Sequence, residues 1–127
     1  MEKILHWGLL GTARINKALI PPLRISRRNR LAAVASRSLE KAQEYAREWN
    51  IPTAHGSYQA LLDDPGIDIV YISLPNHLHV EWALKAAEAG KHVLCEKPIA
   101  LCTEDVDALM ATSKKHQVHI AEAFMYR

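Results

Sequence analysis

The chain has 127 residues, 49% of them hydrophobic and 24% charged, with a formal net charge of +2. That size suits one domain able to bury about two-thirds of its unfolded surface without disulfides or metals. The near-neutral balance argues against a nucleic-acid binder, and no apolar run approaches the ~18 residues that a membrane span needs.

Taken in chain order, Ile4 to Leu10 reads as a buried strand that leaves no room for a signal peptide, which implies a cytoplasmic protein. A helix is expected from about Arg14 to Leu19. Pro21 and Pro22 would end or bend it, because proline lacks the N–H donor and clashes with the preceding turn. Arg24, Arg27, Arg28 and Arg30 then form a short basic rim exposed to solvent. Leu31 to Ala35 is a second strand. Ser38 can cap a helix from Leu39 to Trp49, whose apolar stripe is Leu39, Ala42, Ala46 and Trp49. Thr53 and Ala54 form a short third strand, followed by a single helical span from Ser57 to Leu62.

Ile67 to Leu74 is a β-branched strand stopped by Pro75. The stretch from Asn76 to Ala89 is helical, and Gly90 sits where a left-handed C-terminal cap belongs. His92 to Cys95 is another strand. Thr103 can cap a helix that runs to about His116, with Glu104 and Asp105 at its positive end, and Val118 to Ala121 is a last strand. Strands separated by helices in this way predict an α/β domain with a doubly wound parallel sheet, a Rossmann-type dinucleotide-binding arrangement. Cys95 and Cys102 do not make a disulfide framework and are expected as reduced structural thiols.

The segment Gly8-Leu9-Leu10-Gly11-Thr12-Ala13-Arg14-Ile15-Asn16 joins the first strand to the first helix. Read as G-x-G-x-x-G from Gly11, it has Ala13 in the second glycine position and Asn16 in the third. Gly11 would supply the tight turn. The small Ala13 still lets the backbone approach a pyrophosphate, whose charge the helix N-terminus favours. Alone, such a turn is weak evidence; its place on the first strand, beside a matching second strand, strengthens it. That second strand ends Ala35-Ser36-Arg37-Ser38, with no carboxylate until Glu40. A carboxylate there would bind ribose hydroxyls and repel a 2′-phosphate. Arg37 can instead offer a planar guanidinium to the phosphate, so the cofactor expected is NADP(H), with NAD(H) as the alternative.

Three further segments carry a resemblance: Ser73-Leu74-Pro75-Asn76-His77-Leu78-His79, the strand and turn from Gly90 to Glu96-Lys97-Pro98, and Ala121 to Arg127. With Trp7-Gly8-Leu9-Leu10-Gly11-Thr12-Ala13, they make the chain resemble the glucose–fructose oxidoreductase, inositol dehydrogenase and rhizopine-catabolism (Gfo/Idh/MocA) family over its whole length. The resemblance implies that Gly11, Thr12, Ala13, Arg14 and Ile15 line the pyrophosphate and that Ser36 and Arg37 face the 2′-phosphate. It implies that Leu74, Pro75, Asn76 and His79 flank the central and nicotinamide-side ribose, and that Glu96 approaches that ribose. Lys97 would sit beside the nicotinamide and the substrate hydroxyl, with Arg127 near the same end. Past the C-terminal end of a strand, in a partly desolvated pocket, Lys97 should have a lowered pKa and could shuttle the substrate proton while hydride moves.

The resemblance also implies a sugar, cyclitol or related polyol as substrate. Family members are two to three times longer and carry a second domain with the substrate pocket, an Asp/His acid–base pair and the sheet that commonly forms a homo-oligomer. Without it, residues 1–127 are expected to bind cofactor but not to turn over substrate. A second reading is a non-catalytic dinucleotide sensor of the same fold; a third is a flavin or another nucleotide in the same crevice. Retention of Lys97 favours the enzyme, since a sensor needs the phosphate turn but no proton-handling lysine. His77, His79 and His92 match no zinc spacing, so no metal is expected.

Overall fold

The computed structural model describes residues 3–123. Six strands form one sheet: β1 (Leu5–Leu10), β2 (Asn29–Ala35), β3 (Thr53–His55), β4 (Ile69–Ile72), β5 (His92–Glu96) and β6 (Ile120–Ala123). Their order is β3-β2-β1-β4-β5-β6, and every neighbouring pair is parallel. This is the doubly wound Rossmann order, in which the strand sequence reverses direction between β1 and β4.

Five helices connect the strands: α1 (Asn16–Ile25), α2 (Leu39–Trp49), α3 (Tyr58–Leu62), α4 (His79–Glu88) and α5 (Thr103–His116). One layer packs Ile20 and Leu23 of α1 and Ala46 of α2 against Leu9, Val34 and Tyr71 of the sheet. The other packs Leu61 of α3, Ala83 and Ala86 of α4 and Leu109 of α5 against Leu10, Ala33, Ile72 and Cys95. Leu9 and Leu10 point to opposite faces and both are fully buried. Covered on both sides, the central strands are continuously apolar rather than alternating.

Several boundaries differ from expectation. α1 starts at Asn16 and continues through Pro21 and Pro22 to Ile25. Both prolines are exposed while Ile20 and Leu23 stay buried, so the missing donors fall on the solvent side and the packing face survives. β4 is shorter than the apolar run that contains it. Asn76–Leu78 is a 3-10 turn that precedes α4. β6 spans Ile120–Ala123 instead of Val118–Ala121, because Gln117 closes α5 in a left-handed conformation and Val118 N–H bonds back to Ser113. Thr103 is the first residue of α5 rather than its cap; Cys102 holds the cap position without a side-chain bond. Ser38 does cap α2, accepting the Lys41 N–H at 3.3 Å. Gly90 lies in the left-handed region just past α4. Cys95 is buried, whereas Cys102 is exposed and so is not a packed structural thiol.

Candidate functional site

The C-terminal ends of β1, β2, β4 and β5 converge at the point where the strand order reverses. Gly11 occupies φ +106°, and a Cβ there would lie 3.1 Å from Leu74 Cδ2 and 3.2 Å from Ser73 Oγ. The turn is therefore pressed against the end of β4 and needs a residue without a side chain. Gly11 N–H donates to Ala35 O at 3.0 Å, and Ser73 N–H donates to Leu10 O at 3.2 Å, joining the ends of three strands. Asn16 is fully buried and donates Nδ2–H to Gly11 O at 3.0 Å. It fixes the exit of the turn, in the position that a third glycine holds in G-x-G-x-x-G. Beyond it, Tyr45 of α2 faces the Asn16 side chain, and burial, partly offset by that amide, raises the phenol's pKa.

The N–H groups of Thr12, Ala13, Arg14 and Ile15 are not donated to any other described residue. They cluster at the positive end of the ten-residue α1, beside the Gly11 cradle. Undonated N–H groups at a helix N-terminus suit the anionic oxygens of a pyrophosphate. The residues present thus fit a dinucleotide.

At the end of β2, Ser36 is buried and its N–H donates to His55 O at 3.2 Å; its Oγ accepts the Ser38 N–H at 3.3 Å. Ser36 shapes the loop, while the neighbouring Arg37 is exposed. Arg37 lines an open cavity of about 460 Å³ together with Ser57, Tyr58, His77 and Trp82. Tyr58 and Trp82 meet edge to face there, their centroids 5.3 Å apart. Sequence reasoning did not single out this aromatic wall, because Tyr58 and Trp82 lie 24 positions apart, on separate helices, and only the tertiary fold brings their rings together.

Leu74 is buried under the Gly11 turn, while Pro75 and Asn76 are exposed at the mouth of the crevice. His79 is buried, 1% exposed, and both ring nitrogens are engaged: Nε2 lies 2.7 Å from Leu74 O and Nδ1 2.8 Å from Pro98 O. Its ring spans from the loop after β4 to the loop after β5, so its nitrogens are committed to the main chain. Glu96 ends β5, and its carboxylate accepts a hydrogen bond from the Tyr71 phenol on β4. Burial and the Glu96 carboxylate raise the Tyr71 pKa, which keeps the phenol a donor. Tyr71 is a third residue that sequence reasoning missed, since a tyrosine inside an apolar strand reads as core.

Lys97 follows Glu96 and is exposed; the desolvated pocket expected around it is not formed by the described residues. Ile99 N–H donates to Glu122 Oε2 at 2.9 Å, anchoring the same loop to β6. The Cys95 thiol beneath it is pushed up to about 12 by burial and by Glu96 and Glu122, which makes it a poor nucleophile. His92 lies at the opposite end of β5 from this site, stacked on His119 at 5.4 Å, so the sheet separates it from His77 and His79. Arg127 lies outside the described residues.

Residues 5–124 match the Gfo/Idh/MocA family, described as an oxidoreductase family with an NAD-binding Rossmann fold. The chain is 47% identical over 122 residues to D-xylose 1-dehydrogenase (NADP(+)) 2 of Haloferax volcanii, covering 95% of this chain and 37% of that protein. It is 39% identical over 123 residues to the trans-1,2-dihydrobenzene-1,2-diol dehydrogenase of Xenopus laevis, again covering 95% of this chain and 37% of the relative. A 3-ketoreductase from Actinomadura kijaniata, solved in complex with TDP-benzene and NADP, superposes with a TM-score of 0.88 at 32% identity. That match covers 96% of this chain and 39% of the ketoreductase.

Proposed function

The chain belongs to the Gfo/Idh/MocA oxidoreductases, with their NAD-binding Rossmann fold, and from that premise we propose that it is the NADP(H)-binding domain of an enzyme that interconverts an alcohol and a carbonyl on a sugar, cyclitol or related polyol. The observation that carries this reading is the Gly11 turn, with its undonated N–H groups at the switch point of the sheet. Support for the substrate class comes from relatives named as a xylose dehydrogenase and a diol dehydrogenase. The chain spans 37% of their length, so the substrate pocket and the main acid–base group are assigned to a second domain on other residues. By itself the chain binds cofactor and does not turn over substrate.

When bound, the nicotinamide accepts or supplies the hydride. The N–H groups of Thr12 to Ile15 hold the pyrophosphate, and Gly11 gives it room. Arg37, exposed beside the aromatic wall of Tyr58 and Trp82, pairs with the 2′-phosphate and selects NADP(H). Leu74, Pro75 and Asn76 border the ribose, and Glu96, oriented by the Tyr71 phenol, accepts a ribose hydroxyl. Lys97 reaches the substrate oxygen and handles its proton.

Titration with NADPH and NADH, followed by energy transfer from Trp82 to the reduced nicotinamide, tests the cofactor assignment. NADPH should bind at least tenfold tighter, about 1.4 kcal/mol, and Arg37→Ala should bring the two affinities together. An unchanged ratio in Arg37→Ala would sink the 2′-phosphate role. In the full-length enzyme, Lys97→Ala should abolish most turnover while leaving NADPH affinity within a few-fold; intact turnover would remove Lys97 from the chemistry.

A further inference from the structure

The entry to β6 is held by a pair of histidines. His119 N–H donates to His92 Nδ1 at 3.0 Å, and Val93 N–H donates to His119 O at 2.8 Å, so both main-chain polar groups of His119 are bound to β5. The two imidazoles lie over one another, their centroids 5.4 Å apart and their planes 27° from parallel. A backbone N–H only donates, so Nδ1 of His92 must present its lone pair, and a neutral ring then carries its proton on Nε2. A second proton on this ring would set N–H against N–H and a cation against the stacked His119. The bond and the charged ring exclude each other, and the bond lies at the surface, where water delivers protons.

Three charges face His92: His119 from the segment before β6, Asp68 from just before β4 and Lys3 from the segment before β1. Among the described residues no other charge acts on it. Lys91, next in sequence, is turned away, with its Nζ on Asp64 O at 2.7 Å. Burial first, then His119 and Lys3, hold the His92 pKa below the ordinary histidine value, against the opposing pull of Asp68. A base whose folded pKa is depressed stabilises the native state above its unfolded value of about 6.5 and loses that contribution as pH falls. Acid, not base, works against the bond.

What the bond holds matters to the candidate site. β6 is an edge strand, paired only with β5 over four positions. It carries Glu122, which accepts the Ile99 N–H from the loop that contains Lys97. Ahead of it, Val118 stays anchored to Ser113 through two hydrogen bonds, so any release begins at His119 and not in α5. We propose that His92 and His119 form a proton-sensitive latch on β6: neutral His92 closes the strand against β5, and protonated His92 opens its entry and slackens the hold of Glu122 on the Lys97 loop. The consequence for chemistry rests on the reading of Lys97 given above; the latch itself does not.

Amide exchange of the chain between pH 8 and pH 5, read by NMR and corrected for its intrinsic pH dependence, tests the latch. Protection should fall roughly tenfold at His119 and about threefold at Ile99, with a midpoint below about 6.5, while Val118 and Leu9 keep theirs. His92→Asn retains an acceptor near the Nδ1 position and cannot titrate, so both amides should stay protected throughout. His92→Ala removes the acceptor and should leave the His119 amide fast at every pH. Exchange at His119 or Ile99 that does not respond to acid would overturn the proposal, as would a His92→Asn chain that still loses protection. Ring 15N shifts need no substitution: at pH 8 the His92 proton should sit on Nε2, and a proton on Nδ1 would overturn the latch. Intact turnover in Lys97→Ala would remove the catalytic reading without altering any of these outcomes.

Discussion

At φ +106°, with Leu74 and Ser73 just over 3 Å from where a Cβ would stand, Gly11 is constrained both by its own backbone and by its neighbours. Gly11→Ala should cost about 1–3 kcal/mol for the left-handed backbone, with a further loss as the turn moves off β4. Urea denaturation measures the first effect, and NADPH titration should register the second as at least a tenfold weaker affinity. Gly90 provides the control. It has φ +81°, but a Cβ there meets nothing within 4 Å. Gly90→Ala should therefore lower stability and leave NADPH affinity unchanged. Gly11 was legible in the sequence as a turn residue. The press of Leu74 against it was not, since the two stand 63 positions apart.

Element by element, the strand and helix pattern could be read from the sequence because its signals are local. Ser38 caps α2, Gly90 follows α4, and apolar runs mark the strands. The largest error fell on α1. Pro21 and Pro22 predict a helix end, yet the helix continues because both rings face solvent while Ile20 and Leu23 remain packed. Pro is roughly 3 kcal/mol less favourable than Ala inside a helix, and the freer unfolded chain returns about 0.4–1 kcal/mol of that. Pro21→Ala should thus stabilise the chain by roughly 2–2.6 kcal/mol, seen as a higher urea midpoint at unchanged slope. No gain would mean that the helix has already relaxed around the prolines.

For the molecule as a whole, acid stability should depend on a carboxylate that is not among the candidate site residues. Asp64 is held below the ordinary carboxylate range, first by the Gly66 N–H, against the opposing cost of burial, and then by His55 at 3.2 Å. A depressed folded pKa stabilises the native state above the unfolded value of about 4 and is lost as pH falls through the lower folded value. Stability should accordingly decline as pH drops below about 4, and Asp64→Asn should flatten that decline while lowering stability at neutral pH. Chemical denaturation at several pH values measures both; an unaltered slope would exclude Asp64 as the source.

The sequence by itself determined the α/β alternation, the dinucleotide-binding turn at Gly11, the end of β2 with Arg37, and the Glu96-Lys97-Pro98 turn, because each is written in contiguous residues. Only the tertiary structure decided what joins them. It brought Tyr71 under Glu96, Trp82 against Tyr58 and Glu122 onto Ile99, and it set His79 between two carbonyls. Apart from His79 and Leu74, which are five positions apart, these contacts link residues 19 to 25 positions apart. Their partners are set by strand order and helix packing, and local periodicity carries no information about either.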